Sequence, residues 1–303
     1  MKRPFRRDLY LILCGVLLWL LADAARIRAA AFEALSLCGR TVIPALFPFM
    51  AVSTLLISLG FGEWLAPHLA GLMTTLFHLP GCSGSALLLG LVGGYPIGAR
   101  TAAELYAAGQ LTREEAERLL AFCNNSNPVF LISVLGAGVF GSARLGIWLW
   151  LIHLLSALLT GLVFRRGSRA PRRREIPQVV CKTCTLSAAL VDAVRRALGG
   201  ILSVCAFVVL FYVASLPLRT LDGWLRPVLV GSVELFSLTP LLSPTPAGFL
   251  TAAFCTGWGG LSVLCQTASV LDGTALSLRT AVLGKVVQGL FSLLLAALFL
   301  SFF

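Results

Sequence analysis

The sequence predicts an all-α polytopic membrane protein, built as two inverted-topology repeats with broken or re-entrant helices. Three observations predict it. The 303 residues are 58% hydrophobic and only 12% charged, with a mean hydropathy of +0.90, which argues against an ordinary soluble domain. Apolar runs are separated by short polar breaks and do not alternate, which argues against a β-barrel. Proline, glycine and polar residues also interrupt several of those runs at their middle, in the same order in the two halves. The formal net charge of +11 does not point to nucleic acid. The basic residues gather at segment ends and in one loop, where the positive-inside rule places them.

Residues 1–30 are assigned to an N-terminal membrane helix. Lys2, Arg3, Arg6 and Arg7 precede an apolar run from Leu9 to Ala22, so the N-terminus is expected in the cytoplasm. Ala22-Asp23-Ala24 also fits a secretory cleavage site. The first-helix reading is preferred, because the rest of the chain is itself membrane-embedded.

Residues 31–165 form the first repeat. A short amphipathic link, with Arg26, Arg28, Glu33 and Arg40, leads to an apolar run from Thr41 to Gly60. Pro44 and Pro48 predict a kinked helix there. Trp64 to Leu79 is short for a span and is expected to be tilted or interfacial. The run from Ser83 stops at Gly93-Gly94-Tyr95-Pro96. Pro96 suits the first turn of a new helix, and Gly109 suits its C-terminal end. Thr112 and Glu115 form a capping-box pattern for the next helix. Leu119 to Gly141 then reads as a broken helix. Asn124, Asn125, Ser126 and Asn127 sit in the middle of an apolar run and are followed by Pro128. Proline cannot continue the preceding helix, but it is favoured at the start of the next one, behind an asparagine cap. Leu145 to Phe164 is an ordinary span containing His153.

Residues 166–190 are read as a basic cytoplasmic loop, with Arg166, Arg169, Arg172, Arg173, Arg174 and Lys182. It is expected to attract anionic lipid headgroups. The second repeat covers 191–303. It opens with a span from Ala197 to Leu218. A proline-rich stretch follows, holding Glu234 as its one acid in an apolar setting. The run from Leu250 to Val270 is broken at Gly257-Trp258-Gly259-Gly260. A last span from Thr280 to Phe303 contains Lys285 and Gln288.

The halves match in the order of their breaks. AFCNNSNPV at 121–129 is answered by AFCTGWGGL at 253–261, and each is preceded by a glycine- or proline-bearing interruption. If the first helix crosses outward, the first repeat starts outside and the second starts at the cytoplasmic loop. The two then have opposite topology, as is common in secondary transporters. An interfacial helix would accommodate Arg26, Arg28 and Arg40 outside.

The breaks supply the candidate substrate-binding residues. In the first half these are Gly94, Tyr95, Pro96, Gly98, Arg100, Asn124, Asn125, Ser126, Asn127 and Pro128. In the second they are Glu234, Gly259, Gly260, Ser262 and Gln266. New helices starting near Pro96, Pro128 and Ser262 would aim free N–H groups at an anion. Glycine allows close approach to backbone. The amides offer donors and acceptors without fixed charge, and Arg100 offers a charged donor. Glu234 and Lys285 are intramembrane charges that would pair with each other or serve function.

GGYPIGAR, the LYAAGQLT hairpin and FCNNSNPVFLISV resemble the first half of the YlbJ/SpoVV-type sporulation integral membrane proteins. ELFSLT and GWGGLSVLCQ are similar to that family's second block. Those proteins group with the nucleoside-recognition, or Gate, domain proteins. The resemblance spans roughly residues 31–295. It implies a role in endospore formation, moving dipicolinate across the outer forespore membrane. A nucleoside or other metabolite carrier stays open as an alternative, as does a non-transporting membrane scaffold. An intramembrane enzyme is not expected. Arg113–Arg118 has the wrong glutamate–arginine spacing for a membrane CAAX-type protease, and no H-E-x-x-H or GxGD motif is present. Cys181 and Cys184 form a single CxxC without a second ligand pair, so neither metal nor cofactor is expected. The expected partners are the small anion, the bilayer and its anionic lipids, with no nucleic acid. A homo-oligomer is left open.

Overall fold

The structure, a computed structural model, describes residues 3–167 and 185–302. Cys181, Cys184 and much of the basic loop lie outside the described residues. All regular structure among the described residues is helical. Five stretches are long and apolar enough to cross a membrane: Ala24–Leu56, Ala143–Phe164, Leu186–Ala214, Pro246–Leu271 and Leu278–Ser301.

Helix α1 (Arg3–Ala22) packs lightly on its neighbour and leaves Leu11, Ile12, Leu17, Leu18 and Leu21 exposed. Such a face suits lipid, not water. Helices α2 (Ala24–Leu37) and α3 (Ile43–Ser58) are joined without a break by a wide π-type turn, Cys38–Val42. The expected amphipathic link is therefore helix, continuous with the span that follows. The wide turn comes immediately before Pro44, which has no N–H for Arg40 and would crowd its carbonyl in a regular helix. This rod runs antiparallel to α9 (Leu186–Ala214). Ala30 and Ala34 meet Tyr212 and Val213, while Leu46 and Met50 meet Ala197, Ile201 and Val204. Helix α9 begins at Leu186, ahead of the Ala197 expected from hydropathy. Thr185 caps it, accepting from the Ala188 N–H.

Helix α4 (Phe61–Phe77) leads to the pair α5 (Ser83–Gly93) and α6 (Ile97–Ala107). These two pack against each other with Gly94-Tyr95-Pro96 at their tip. Gly94 has φ +80° and Gly109, after α6, has φ +71°, conformations that favour glycine. The pair is close because it lacks side chains where it meets the next break. A Cβ on Gly90 would stand 1.7 Å from the Cys123 carbonyl oxygen, and one on Gly98 would stand 2.0 Å from it.

Helix α7 (Arg113–Leu120) starts with the capping box that the sequence predicts. The Thr112 hydroxyl accepts from Glu115 N–H at 3.2 Å, and Glu115 Oε2 accepts from Thr112 N–H at 2.7 Å. Thr112→Ala should cost about 1 kcal/mol. Thermal unfolding in detergent should show a small drop that Thr112→Ser largely restores. Arg118, near the end of α7, donates to the carbonyls of Phe77 and His78. Burial pulls its guanidinium pKa below the usual range, against Glu114 and Glu115, which hold it up. After α7 the chain has no regular structure over residues 124–127 and re-enters a helix at Pro128. That helix is π-type over Phe130–Val139 and packs along α8 (Ala143–Phe164).

In the second half, α10 (Leu216–Arg219) and α11 (Leu225–Val233) lead to Glu234 and a 3₁₀ segment, Phe236–Leu241. α11 and the 3₁₀ segment pack on each other, so Glu234 lies at the turn of a second pair. Helix α12 (Pro246–Trp258) starts at a proline behind the cap Thr245 and ends at Gly259, with φ +84°. Helix α13 (Gly260–Leu271) starts again at once, and α14 (Leu278–Ser301) packs along α12.

Candidate functional site

Residues from three of the interruptions, and from the helix that follows the fourth, meet at one narrow inner cavity. Its wall includes Tyr95 from the first pair, Ser126 and Asn127 from the first break, and Glu234 and Phe236 from the second pair. Val263 and Gln266 come from the first turns of α13, just after the second break. The remaining wall is Leu46 of α3, Val204 of α9 and neighbouring apolar side chains. The cavity measures about 20 Å³, room for a single water. The second break also touches the first pair directly. The Tyr95 hydroxyl donates to the Thr256 carbonyl at 3.2 Å, and a Cβ on Gly259 would stand 3.1 Å from that hydroxyl oxygen.

Side chains of the first break fasten it to its surroundings. Asn127 Nδ2 donates to the carbonyls of Val92 (3.1 Å) and Gly93 (3.3 Å), while its Oδ1 accepts from Val129 N–H at 2.7 Å. One asparagine thus ties the tip of the first pair to the start of the Pro128 helix, in the capping role the sequence predicts. Ser126 N–H donates to His153 Nε2 at 3.1 Å. Asn124 Nδ2 donates to Thr267 Oγ1 at 2.9 Å. Gln266 Nε2 donates to Ser262 Oγ at 3.3 Å. Asn124 Oδ1 and Gln266 Oε1 are buried without a hydrogen-bond partner among the described residues, a state that native proteins rarely leave unsatisfied.

Behind Tyr95 lies a polar chain whose directions are fixed at one end. The Phe122 carbonyl can only accept, so Asn125 turns Nδ2 toward it (2.8 Å) and Oδ1 away. Gln288 then donates Nε2 to that oxygen (2.9 Å) and turns Oε1 to Lys285 Nζ (2.8 Å). Nζ also lies 5.0 Å from the centre of the Tyr95 ring. Glu234 and Lys285 do not pair with each other, so of the two outcomes left open by the sequence the pairing is not the one observed. Glu234 instead accepts from the N–H groups of Phe236 and Ser237, capping the 3₁₀ segment. Two backbone donors at the turn satisfy its carboxylate locally.

Gln266 also lines a larger vestibule of about 510 Å³, together with Pro96, Arg100, Glu104, Arg196, Ser203, Ser269 and Thr274. Arg100 and Glu104 are one turn apart on α6, and Arg196 faces them from α9. Arg196 Nε also meets Asp192 at 2.7 Å. The volume lies in the range of small-molecule sites, and its lining carries two guanidiniums and one carboxylate, with Arg196 also paired to Asp192 outside the lining.

Of the candidate residues, Tyr95, Ser126, Asn127, Glu234 and Gln266 line the inner cavity, and Pro96, Arg100 and Gln266 line the vestibule. Gly94 lies against Asn127, where a Cβ would come within 2.8 Å, and Gly98 lies against Cys123. Gly259 and Gly260 form the second break, and α13 begins at Gly260, two residues before the expected Ser262. Asn125 and Pro128 act one layer back, in the Lys285 chain and at the helix start. His153, Thr256 and Thr267 were not among the candidates. Neither were the buried pair Ser156 and Ser292, whose hydroxyls meet at 2.8 Å. The signal for some of them was helical spacing: His153, Ser156 and Thr160 share one face of α8, and Lys285, Gln288 and Ser292 share one face of α14.

Comparison with known proteins places this geometry. The Gate family profile, described as "Nucleoside recognition", matches residues 40–144, from the wide turn before α3 to the start of α8. The chain is also 30% identical over 328 residues to "Sporulation integral membrane protein YlbJ" of Bacillus subtilis (strain 168). That alignment covers 93% of this chain and 80% of the relative. The chain belongs to the YlbJ family of sporulation integral membrane proteins. Within this YlbJ-family chain, the Gate match contains the first helix pair and the Asn124–Pro128 break, while Glu234, Gln266 and Lys285 lie beyond it. No solved structure matches.

Proposed function

We propose that this YlbJ-family protein carries a small organic anion, dipicolinate, across the outer forespore membrane during endospore formation. The observation that supports this best is the vestibule with Arg100 and Arg196 in its wall, which shares Gln266 with the inner cavity. Dipicolinate presents two carboxylates on a flat ring. Arg100 and Arg196 are two cationic forks on facing helices, suited to bidentate contacts. Farther in, the polar wall is made of amides, hydroxyls and the Glu234 carboxylate, whose oxygens accept from the Phe236 and Ser237 N–H groups. The helix starts at Pro128 and Gly260 lie at the same place and favour negative charge.

The carrier reading includes two inverted repeats. In support, each half contains a long helix (α3, α9), a packed pair with a polar tip and a helix broken after Ala-Phe-Cys. Each then closes with a span, α8 or α14. Gly90 and Gly98 meet the Cys123 carbonyl in one half, and Gly231 meets the Cys255 thiol in the other. The cavity of about 20 Å³ is then the closed state of a passage that opens by moving a helix pair.

Deleting the gene in its spore-forming host should yield spores depleted of dipicolinate, with content restored by the intact gene. Normal spore dipicolinate after deletion would sink the proposal. The Gate description and the amide-rich inner wall favour a second reading, a nucleoside carrier. Tighter binding of uncharged nucleosides than of dicarboxylates by the purified protein would decide for it.

A further inference from the structure

We infer that Lys285, set behind the Tyr95 ring, is the residue that makes the inner passage select an anionic ring over a neutral one. This rests on the carrier reading above. Lys285 is 2% exposed, about two turns into the apolar helix α14. Its surroundings are those of a cation held without a counter-ion. Nζ meets an amide oxygen, Gln288 Oε1, and the face of an aromatic ring, and both of these favour positive charge. The Gln288 oxygen cannot be exchanged for its nitrogen without breaking the chain through Asn125 to the Phe122 carbonyl. Other titratable groups near Nζ are the Cys123 thiol and the His153 imidazole. Among the described residues Lys285 forms no ion pair, and the acid at the cavity, Glu234, is occupied by backbone donors.

A buried charge without a partner is costly in a membrane interior, so such residues point to function. The inner cavity offers an approach for a negative charge, because Tyr95 lies in its wall and Lys285 stands on Tyr95. An aromatic dicarboxylate stacked on Tyr95 would complete a Lys285–Tyr95–ligand arrangement, with the ligand's charge offsetting that of Nζ. A neutral ring could stack equally well but would leave the Lys285 charge uncompensated. Arg100 and Arg196 attract an anion to the vestibule, and Lys285 makes the inner passage require one.

The test uses the full-length protein in proteoliposomes and compares uptake of dipicolinate with that of its uncharged diamide. Wild type should prefer the dianion. Lys285→Gln should lower the dianion-to-diamide ratio about tenfold, with diamide uptake retained, and Lys285→Arg should keep most of the preference. Gln288→Glu leaves the lysine in place and sets a carboxylate against Nζ. It should lower the ratio in the same way, and it decides the matter if Lys285→Gln does not fold. A purely structural lysine would lower both fluxes in step, and an unchanged ratio in Lys285→Gln and Gln288→Glu overturns the inference. A wild-type protein that carries both compounds equally also overturns it, while leaving the carrier reading intact. A folded wild type that carries neither overturns the carrier reading itself.

Discussion

Gly90→Ala should be among the most damaging single-methyl additions to this protein, costing about 3 kcal/mol or more. The added Cβ would stand 1.7 Å from the Cys123 carbonyl oxygen and 2.9 Å from its carbon. Neither atom is the end of a flexible side chain. Both are backbone at the start of the Asn124–Asn127 break. Relief requires the α5–α6 pair to move off the break, which would also pull Val92 and Gly93 away from Asn127. Gly98→Ala should behave alike, since its Cβ would reach the same oxygen at 2.0 Å. Gly71 and Gly199 are the controls. A Cβ at either meets nothing within 4 Å, and both lie inside helices. Alanine there should be neutral or stabilise by up to about 1 kcal/mol. Thermal unfolding of the four variants in one detergent measures the contrast. Equal melting of Gly90→Ala and Gly71→Ala would mean that the pair does not seat on the break as described.

Arg100→Ala and Arg196→Ala should each weaken dipicolinate uptake about tenfold to a hundredfold, mainly through KM. Each removes a charge-assisted contact worth about 1.5–3 kcal/mol. The vestibule is wide, so raised salt should erode the wild-type affinity as well. Glu104 lies one turn from Arg100 on the same helix, and Glu104→Gln should lower KM by removing the carboxylate from the lining. Concentration-dependent flux with dipicolinate separates these outcomes. Nucleoside uptake measured in parallel should be indifferent to the arginines. A KM for dipicolinate unchanged in both arginine variants would remove the vestibule from the binding path.

The interruptions were legible in the sequence because each uses residues with hard local rules. Pro128 behind Asn127 starts a helix as the sequence predicts, although the preceding helix already ends at Leu120, and Thr112 with Glu115 announced a capping box that forms in full. Gly94, Gly109 and Gly259 mark positions with φ near +80° or +70° that favour glycine. Where the rules were weaker, boundaries moved. The stretch from Ala24 to Leu37 is mildly charged, which hydropathy reads as a link. Its packing on α9 makes it helix, and the wide turn ahead of Pro44 lets that helix continue into α3. Likewise α9 starts at Leu186, because a threonine cap sets the start where hydropathy is still low.

The partners of the buried polar groups were not legible in the same way. Glu234 and Lys285 are opposite intramembrane charges in one half, and the sequence leaves both their pairing and a functional role open. The backbone decided against the pairing. Glu234 sits at a turn with two free N–H groups within reach of its own carboxylate, which leaves Lys285 to the amide chain and the Tyr95 ring. The partner of His153, the Ser126 N–H, is a backbone group exposed by the break. Side-chain patterns reveal which face of a helix is polar. They do not reveal which main-chain donors a break sets free.

The most direct test of the central claim is uptake of labelled dipicolinate by proteoliposomes containing the purified wild-type protein. Transport through the passage where the breaks meet predicts saturable uptake well above that of protein-free liposomes, competed by unlabelled dipicolinate. Uptake no greater than in protein-free liposomes, by protein shown to be folded and inserted, would contradict it.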